Sequence, residues 1–284
     1  MEQQNSEYES GSLSLLGTIA MGTGVMIGAG IFALTGQVAE LAGALFPLAF
    51  LVAAIISGFS AYSYVKMSNA YPSAGGIAMY LKKAYGRTTM TGACALLMAF
   101  SMIINESLVA RTFGTYTLQL FNVGENSFWV PVLAVGLVVF AFLVNISGNK
   151  IIGSLSQVTA FLKIGGIVVF AAIALWAAGF SFEPSLNSGA SSGLPGSGFL
   201  AGVAIAILAY KGFTTITNSG GEVKDPNKNV GRAIIASLLI CTVVYLLVAF
   251  AVAANLPLDR IIEAKDFALA EAARPAMGQY GVWF

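Results

Sequence analysis

The sequence predicts an all-α integral membrane protein, and three observations carry that expectation. Of its 284 residues, 57% are hydrophobic and 10% charged, against about 25% charged in soluble domains, so polar side chains are too few to cover a water-facing surface. Seven apolar runs reach bilayer length, at 13–35, 43–65, 92–116, 129–147, 155–178, 198–218 and 233–254; a helix of about 20 such residues crosses a hydrocarbon core. The first and sixth runs are interrupted in mid-span by glycine or polar residues, a pattern that marks discontinuous helices around a midplane site.

Composition also excludes classes. The net charge is +1 and no long basic cluster exists, so a nucleic acid partner is not expected. There is no histidine, which removes the commonest metal ligand and leaves Lys, Asp, Glu or Tyr as proton carriers. Cys94 and Cys241 lie inside apolar spans and read as small buried hydrophobes rather than a disulfide or metal site. No metal-ligand cluster or close carboxylate pair occurs within the spans, so neither an enzyme nor a bound cofactor is expected.

Residues 1–12 form a polar tail carrying Glu2, Glu7 and Glu9 without a basic n-region, so the first span is expected to stay as a structural helix. With the tail in the cytoplasm, the inner loops collect Lys66, Lys82, Lys83, Arg87, Lys150, Lys224, Lys228 and Arg232. Arg111, Arg260, Lys265 and Arg274 fall outside, which satisfies the positive-inside rule.

The first span, LSLLGTIAMGTGVMIGAGIFALT, contains Gly17, Gly22, Gly24, Gly28 and Gly30. Each interior glycine costs about 1 kcal/mol of helix propensity, and lipid cannot pair the backbone groups that a break frees, so a break here is expected to line a cavity. Close helix packing through small residues is the alternative. GTGVMIG mimics a dinucleotide-binding loop, but that loop must follow a strand in a soluble βαβ unit, and this one sits within a membrane span.

After the second span, Pro72 and the Gly75–Gly76 pair end the helix before an amphipathic stretch closing on Lys82 and Lys83, expected along the inner surface. Segment 181–197, rich in Ser, Gly and Pro, reads as a flexible outer connection. It divides five spans in 13–180 from a second unit in 198–284. The sixth span holds Lys211 and Gly212 in mid-span; a central charge costs about 2.5–3.5 kcal/mol on insertion scales, so it should face protein or water. Residues 258–273 have helical spacing but are too polar to span, which predicts an outer surface helix. Gly278 to Phe284 resembles the start of another span.

Backbone chemistry predicts the site. A half-helix beginning after Gly30 offers unpaired N–H groups to a carboxylate, with Met26, Ile27, Gly28, Ala29 and Gly30 at that break. A half-helix ending near Tyr210 leaves carbonyls for an ammonium group, with Tyr210, Lys211 and Gly212 there; Tyr210 reads equally well as a packing aromatic. Together the two ends suit the zwitterion common to α-amino acids. Lys211 predicts a bias against cationic side chains. Glu106 and Lys163 are the other intramembrane charges singled out. Both are candidates for ion or proton coupling: Glu106 pairs in this reading with Lys163 or Lys211, or serves structure alone, and Lys163 is a candidate proton carrier or an interfacial anchor. Glu222, Lys224, Asp225 and Lys228 read as a solvated loop or an inner gate.

Three stretches, MIGAGIFALTG at 26–36, SYVKMSNAYPSAGGIAMYLKKAYG at 63–86 and AYKGFTTITNSGGEVKDPNKNVGRAI at 209–234, resemble the amino acid–polyamine–organocation (APC) permeases in motif, order and spacing. The resemblance implies a LeuT-like fold of two inverted five-helix repeats with helices 1 and 6 broken. It further implies substrate held at both breaks, and for Lys163 the role of a fifth-helix lysine found in several proton-coupled members. The implied function is a secondary active transporter of amino acids, proton-coupled, working by alternating access in the plasma or inner membrane. Its partners are then an amino acid, the lipid bilayer and protons. An exchanger without net ion coupling and a non-transporting sensor or subunit are the alternatives. Lys66 stands where members commonly carry glutamate. The second repeat is expected to be incomplete, ending at the start of an eighth helix, as in a fragment.

Overall fold

The structure, a computed structural model, describes residues 11–121, 128–146, 149–179, 181 and 196–278. The expected span start at 279–284, most of the 181–197 connection and residues 1–10 lie outside the described residues.

Helix α1 (Leu15–Met26) begins where the Ser14 hydroxyl accepts the Gly17 N–H at 3.1 Å, a cap worth about 1 kcal/mol. The chain then breaks at Ile27–Gly28 and resumes as α2 (Ala29–Phe32) and α3 (Leu34–Ala42). Helix α4 (Phe46–Ala70) starts with Pro47 in its first turn, where no N–H is lost. There follow α5 (Gly76–Tyr85), α6 (Thr89–Leu120), α7 (Trp129–Ile146) and α8 (Asn149–Ala177). Beyond the connection lie α9 (Gly196–Ala209), α10 (Phe213–Asn218), α11 (Pro226–Asn255), α12 (Leu258–Ala264) and α13 (Ala268–Met277).

Six stretches among the described residues are long and apolar enough to cross a bilayer: Leu15–Phe32, Leu34–Ala70, Thr89–Leu118, Val158–Ala177, Ser197–Asn218 and Pro226–Asn255. The fourth of the seven expected runs appears as the shorter apolar helix α7. The protein is a multi-pass membrane protein.

Lipid tails are as apolar as Leu, so helix association in a membrane relies on close packing and hydrogen bonds. The core reflects this. Helix α11 packs against α1, α4 and α8, and α9 against α3 and α4, through small buried residues such as Ala49, Ala53 and Ala61 on α4 and Ala233, Ser237 and Ala249 on α11. Buried threonine hydroxyls turn back to carbonyls four residues earlier, Thr18 to Ser14 at 2.8 Å, Thr23 to Ile19 at 2.8 Å and Thr35 to Ile31 at 2.6 Å, so these hydroxyls are paired with nearby backbone. A Cβ at Gly22 would lie 2.4 Å from Ile216 Cδ1 and 3.0 Å from Ser237 Oγ; this glycine serves packing.

Two connections dock more firmly than their sequences suggest. Helix α5, expected along the surface, buries Tyr80, whose hydroxyl shares a 2.7 Å hydrogen bond with Ser68. Ahead of α1, Leu13 forms an isolated parallel bridge with Val223, its N–H donating to Glu222 O at 2.9 Å and its carbonyl accepting from Lys224 N–H at 2.8 Å. The segment after α10, read as a solvated loop or gate, is therefore strapped to the chain's first helix.

Segment 258–273 also differs from expectation. It forms two helices, α12 and α13, separated by a 3-10 turn at Lys265–Phe267 with Lys265 at φ +40°. It buries Leu258, Ile261, Ala264, Ala268, Leu269 and Ala272 and packs on α3, α8 and α11. Gly36 makes this possible, because a Cβ there would lie 2.3 Å from the Lys265 carbonyl oxygen. Gly36→Ala is therefore expected to destabilise the protein by about 1–3 kcal/mol, the range for overpacking a filled contact. Thermal unfolding in detergent checks this, with Gly136→Ala, where a Cβ meets nothing within 4 Å, expected to leave the midpoint in place or raise it.

Candidate functional site

The first break lies earlier than its glycines indicate. Ile27 N–H closes α1 on Thr23 O at 2.7 Å and Gly28 N–H turns back to Met26 O at 3.0 Å. The second half-helix opens at Ala29, with Ile31 and Phe32 N–H groups on Gly28 O at 3.2 and 3.1 Å. It begins at Ala29 rather than after Gly30, so Gly30 sits in the first turn, where N–H groups have no acceptor within the helix. Helix α2 has only four residues and sums few peptide dipoles, so any anion there meets N–H groups rather than a macrodipole.

The second break is a pair of tight turns. Tyr210 and Lys211 N–H groups bond Ile207 O and Leu208 O at 3.1 and 3.2 Å, and Thr214 and Thr215 N–H groups bond Lys211 O and Gly212 O at 3.1 Å each. Most carbonyls at the end of α9 are thus engaged by the chain itself.

Both breaks meet at Tyr245 of α11. Its hydroxyl lies 2.5 Å from Met26 O and 2.9 Å from Ala209 O, one proton between a carbonyl of each break, the first of which also accepts the Gly28 N–H. The side chain is fully buried, with its ring 5.0 Å from that of Tyr210 and 6.0 Å from that of Phe50. The glycines press each break onto the other. A Cβ on Gly30 would lie 3.0 Å from Ala209 Cα and 3.0 Å from the Tyr245 hydroxyl, and one on Gly212 would lie 2.6 Å from Met26 Cγ and 2.9 Å from Met26 N.

Beside this contact is a cavity of about 50 Å³, room for one or two waters at about 30 Å³ each. Met26, Gly30, Lys211 and Gly212 line it from the breaks, and Ser101, Asn105 and Glu106 line it from α6. Lys211 reaches across to donate a hydrogen bond from its ammonium group to the Ser101 hydroxyl.

Of the residues singled out from sequence, Met26, Gly30, Lys211, Gly212 and Glu106 meet at this cavity. Ile27 is buried in the core beside it, and Gly28 is half-buried at the break. Ala29 contributes the first backbone of α2. Tyr210 is fully buried and donates to Phe50 O at 3.2 Å, the position of a packing aromatic. Lys163 lies on an exposed part of α8, one turn beyond Ala160, whose Cβ is 3.8 Å from a Cβ placed on Gly24; the helix faces α1, while the lysine itself makes no ion pair among the described residues. Tyr245 was not foreseen. Within ICTVVYLLVAF it reads as one more core aromatic, and the available signal was general: a tyrosine hydroxyl in mid-span must find a partner.

A family profile described as amino acid permease matches residues 13–284. The chain belongs to the amino acid permease family. Among similar proteins are an uncharacterized protein of Methanocaldococcus jannaschii, 36% identical over 277 residues covering 97% of this chain and 62% of that protein, and the inner membrane transport protein YbaT of Escherichia coli, 31% identical over 98% of this chain and 64% of that protein. The branched-chain amino acid permease BcaP of Lactococcus lactis is 29% identical over 80% of this chain and 52% of its own length. The chain thus spans roughly half to two thirds of the relatives it matches. A permease family is one of transporters rather than catalysts, and among the described residues no group of three or more Cys, Asp or Glu is placed to hold a metal.

In this permease, Tyr245→Phe removes the donor shared by two break carbonyls and is expected to cost about 1–3 kcal/mol, the penalty for buried polar groups left unpaired. Tyr210→Phe, which loses the 3.2 Å bond to Phe50 O, should cost about 0.5–1.5 kcal/mol. Equal shifts of the thermal midpoint in the two variants would show that Tyr245 does not bridge the breaks.

Proposed function

We propose that this permease is a secondary active transporter that carries amino acids by alternating access, with substrate bound between the two helix breaks and transport coupled to protons through Lys163. The observation that carries the reading is the reciprocal glycine contact, Gly30 against Ala209 and Gly212 against Met26, beside a cavity containing two intramembrane charges. A chain does not keep two unwound segments and a lysine–glutamate set at membrane depth for packing alone, since each carries a cost that apolar side chains avoid. The named activities of the relatives, transport and branched-chain amino acid permeation, support an amino acid as cargo.

In this reading residues 13–180 form the first five-helix repeat and residues 198–284 belong to an inverted second repeat, with 181–197 connecting them outside the cell and the N-terminus in the cytoplasm. The first-turn N–H groups of α2 hold the substrate carboxylate. Lys163 lies on the helix that faces α1, where gain or loss of its proton changes how that helix is held.

The test is uptake of radiolabelled amino acids into vesicles containing the full-length natural protein under an imposed pH gradient. Saturable uptake that collapses with the gradient is expected. Lys163→Ala should abolish the gradient-driven component while sparing part of the binding, and Gly30→Val should block binding by filling the contact between the breaks. Uptake unchanged in Lys163→Ala would remove that lysine from the coupling step, whereas one-for-one exchange insensitive to the gradient would identify an exchanger.

A further inference from the structure

We propose that two side chains of the cavity divide the recognition of a zwitterion: Glu106 takes the α-ammonium group, and Lys211 excludes amino acids with cationic side chains while admitting neutral and acidic ones. This inference rests on reading the cavity as the substrate site, and it replaces the break carbonyls with a carboxylate as the ammonium partner.

The first argument concerns the available acceptors. At the end of α9, Ile207 O and Leu208 O accept from Tyr210 and Lys211 N–H groups, while Ala209 O and Met26 O share the Tyr245 hydroxyl. Lys211 O already accepts from the Thr214 N–H and, at 2.9 Å, the Thr214 hydroxyl. These five carbonyls are therefore engaged before any substrate arrives. Glu106 is the acidic group on the cavity wall.

The second argument concerns charge. Lys211 directs its ammonium group to the neutral Ser101 hydroxyl rather than to Glu106, and the ion pairs found among the described residues, Arg260–Glu263, Lys265–Glu40 and Arg274–Glu271, all lie elsewhere. Two opposite charges thus face one cavity without joining each other. A charge at membrane depth is costly unless partnered, and a zwitterion supplies the partner Glu106 lacks without changing the net charge of the site. Lys211 then stands beside the bound substrate. A side-chain cation meets a like charge in a medium where such repulsion is poorly screened, and a side-chain carboxylate meets an opposite one. Size adds a condition. The cavity of about 50 Å³ is too small for an amino acid, so the Lys211 side chain must leave Ser101 when substrate enters.

The experiment measures leucine, glutamate and lysine binding to the full-length natural protein in detergent by calorimetry. The wild type should bind leucine and glutamate, and lysine about tenfold or more weakly, the factor that 1.4 kcal/mol produces. Lys211→Met should close the leucine–lysine gap about tenfold and weaken glutamate. Glu106→Gln should lower the affinity for all three by a similar factor and keep their ranking. Ser101→Ala releases the tether without altering charge and should also keep the ranking, which separates a selecting lysine from one that merely props α6. An unchanged ranking in Lys211→Met, or a Glu106→Gln effect confined to one side-chain class, overturns the division of roles while leaving the amino acid site in place. A wild type that binds none of these, nor any other amino acid, overturns the site reading and this inference with it.

Discussion

In a bilayer every backbone N–H and C=O must find its partner inside the protein, and the two helix breaks are where this structure meets that constraint. Neither break is self-sufficient. The carbonyls of Met26 and Ala209, one from each, point at the same Tyr245 hydroxyl, and the two chains come close enough to share it because Gly30 and Gly212 have no side chains to hold them apart. Much of the surrounding architecture follows from this junction. Helix α11 must be central because it carries the tyrosine, and α4 must lie beside it because Phe50 and Tyr210 pack the ring from two sides. The Gly22 contact with Ile216 and Ser237 sets α1 against both α10 and α11.

Positions of interruption were legible in the sequence, whereas their partners were not. Lys211 and Gly212 in an apolar run, and a cluster of glycines in another, are departures from helix propensity, and propensity is a local property that one chain segment displays by itself. The split of the glycines into packers and break-formers is different. Gly22 accommodates Ile216 and Gly30 accommodates Ala209, and both facts depend on segments nearly 200 residues away. For the same reason Tyr245 and Tyr210 exchanged importance. Both are mid-span tyrosines, but Tyr210 lies at the break in sequence and turns into the core, while Tyr245 lies in a continuous helix and serves both breaks. Segment 258–273 was legible as helical and not as buried, because its burial depends on Gly36 of α3 opening a place for the Lys265 backbone.

The far side of the second break is held by parts that sequence assigns to loops. Helix α10 has six residues, too short to be stable alone, and its position is set from outside. A Cβ on Gly76 of α5 would overlap the Asn218 side chain, and one on Gly220 would lie 3.0 Å from Ser73 O. The ring of Phe213 packs edge-on against Tyr64 at 5.3 Å. Leu13 then ties the following segment to the start of α1 through two backbone hydrogen bonds. Two short pieces, α2 and α10, thus contribute Gly30, Thr214 and Thr215 to the cavity wall, and each is positioned by tertiary contacts rather than by its own helical strength.

Such a junction constrains motion as well as structure. One hydroxyl has one proton, so Tyr245 donates fully to Met26 O, fully to Ala209 O, or unequally to both. If α1 and α2 shift relative to α9 and α10 and the proton follows Met26 O, which also keeps the Gly28 N–H, Ala209 O loses its hydroxyl partner, at about 1–3 kcal/mol in a dry interior. Rearrangements that move both breaks together keep the bond and avoid that cost. Rearrangements that separate them require a new donor for the abandoned carbonyl, and in this site the candidate is a water in the adjoining cavity. The tyrosine therefore ties separation of the breaks to hydration of the cavity beside them, without a charged residue at the junction itself. This separates two roles in space: neutral hydrogen bonding at Tyr245 holds the backbone, while the charges of Lys211, tethered to the Ser101 hydroxyl, and Glu106 stand on the cavity side.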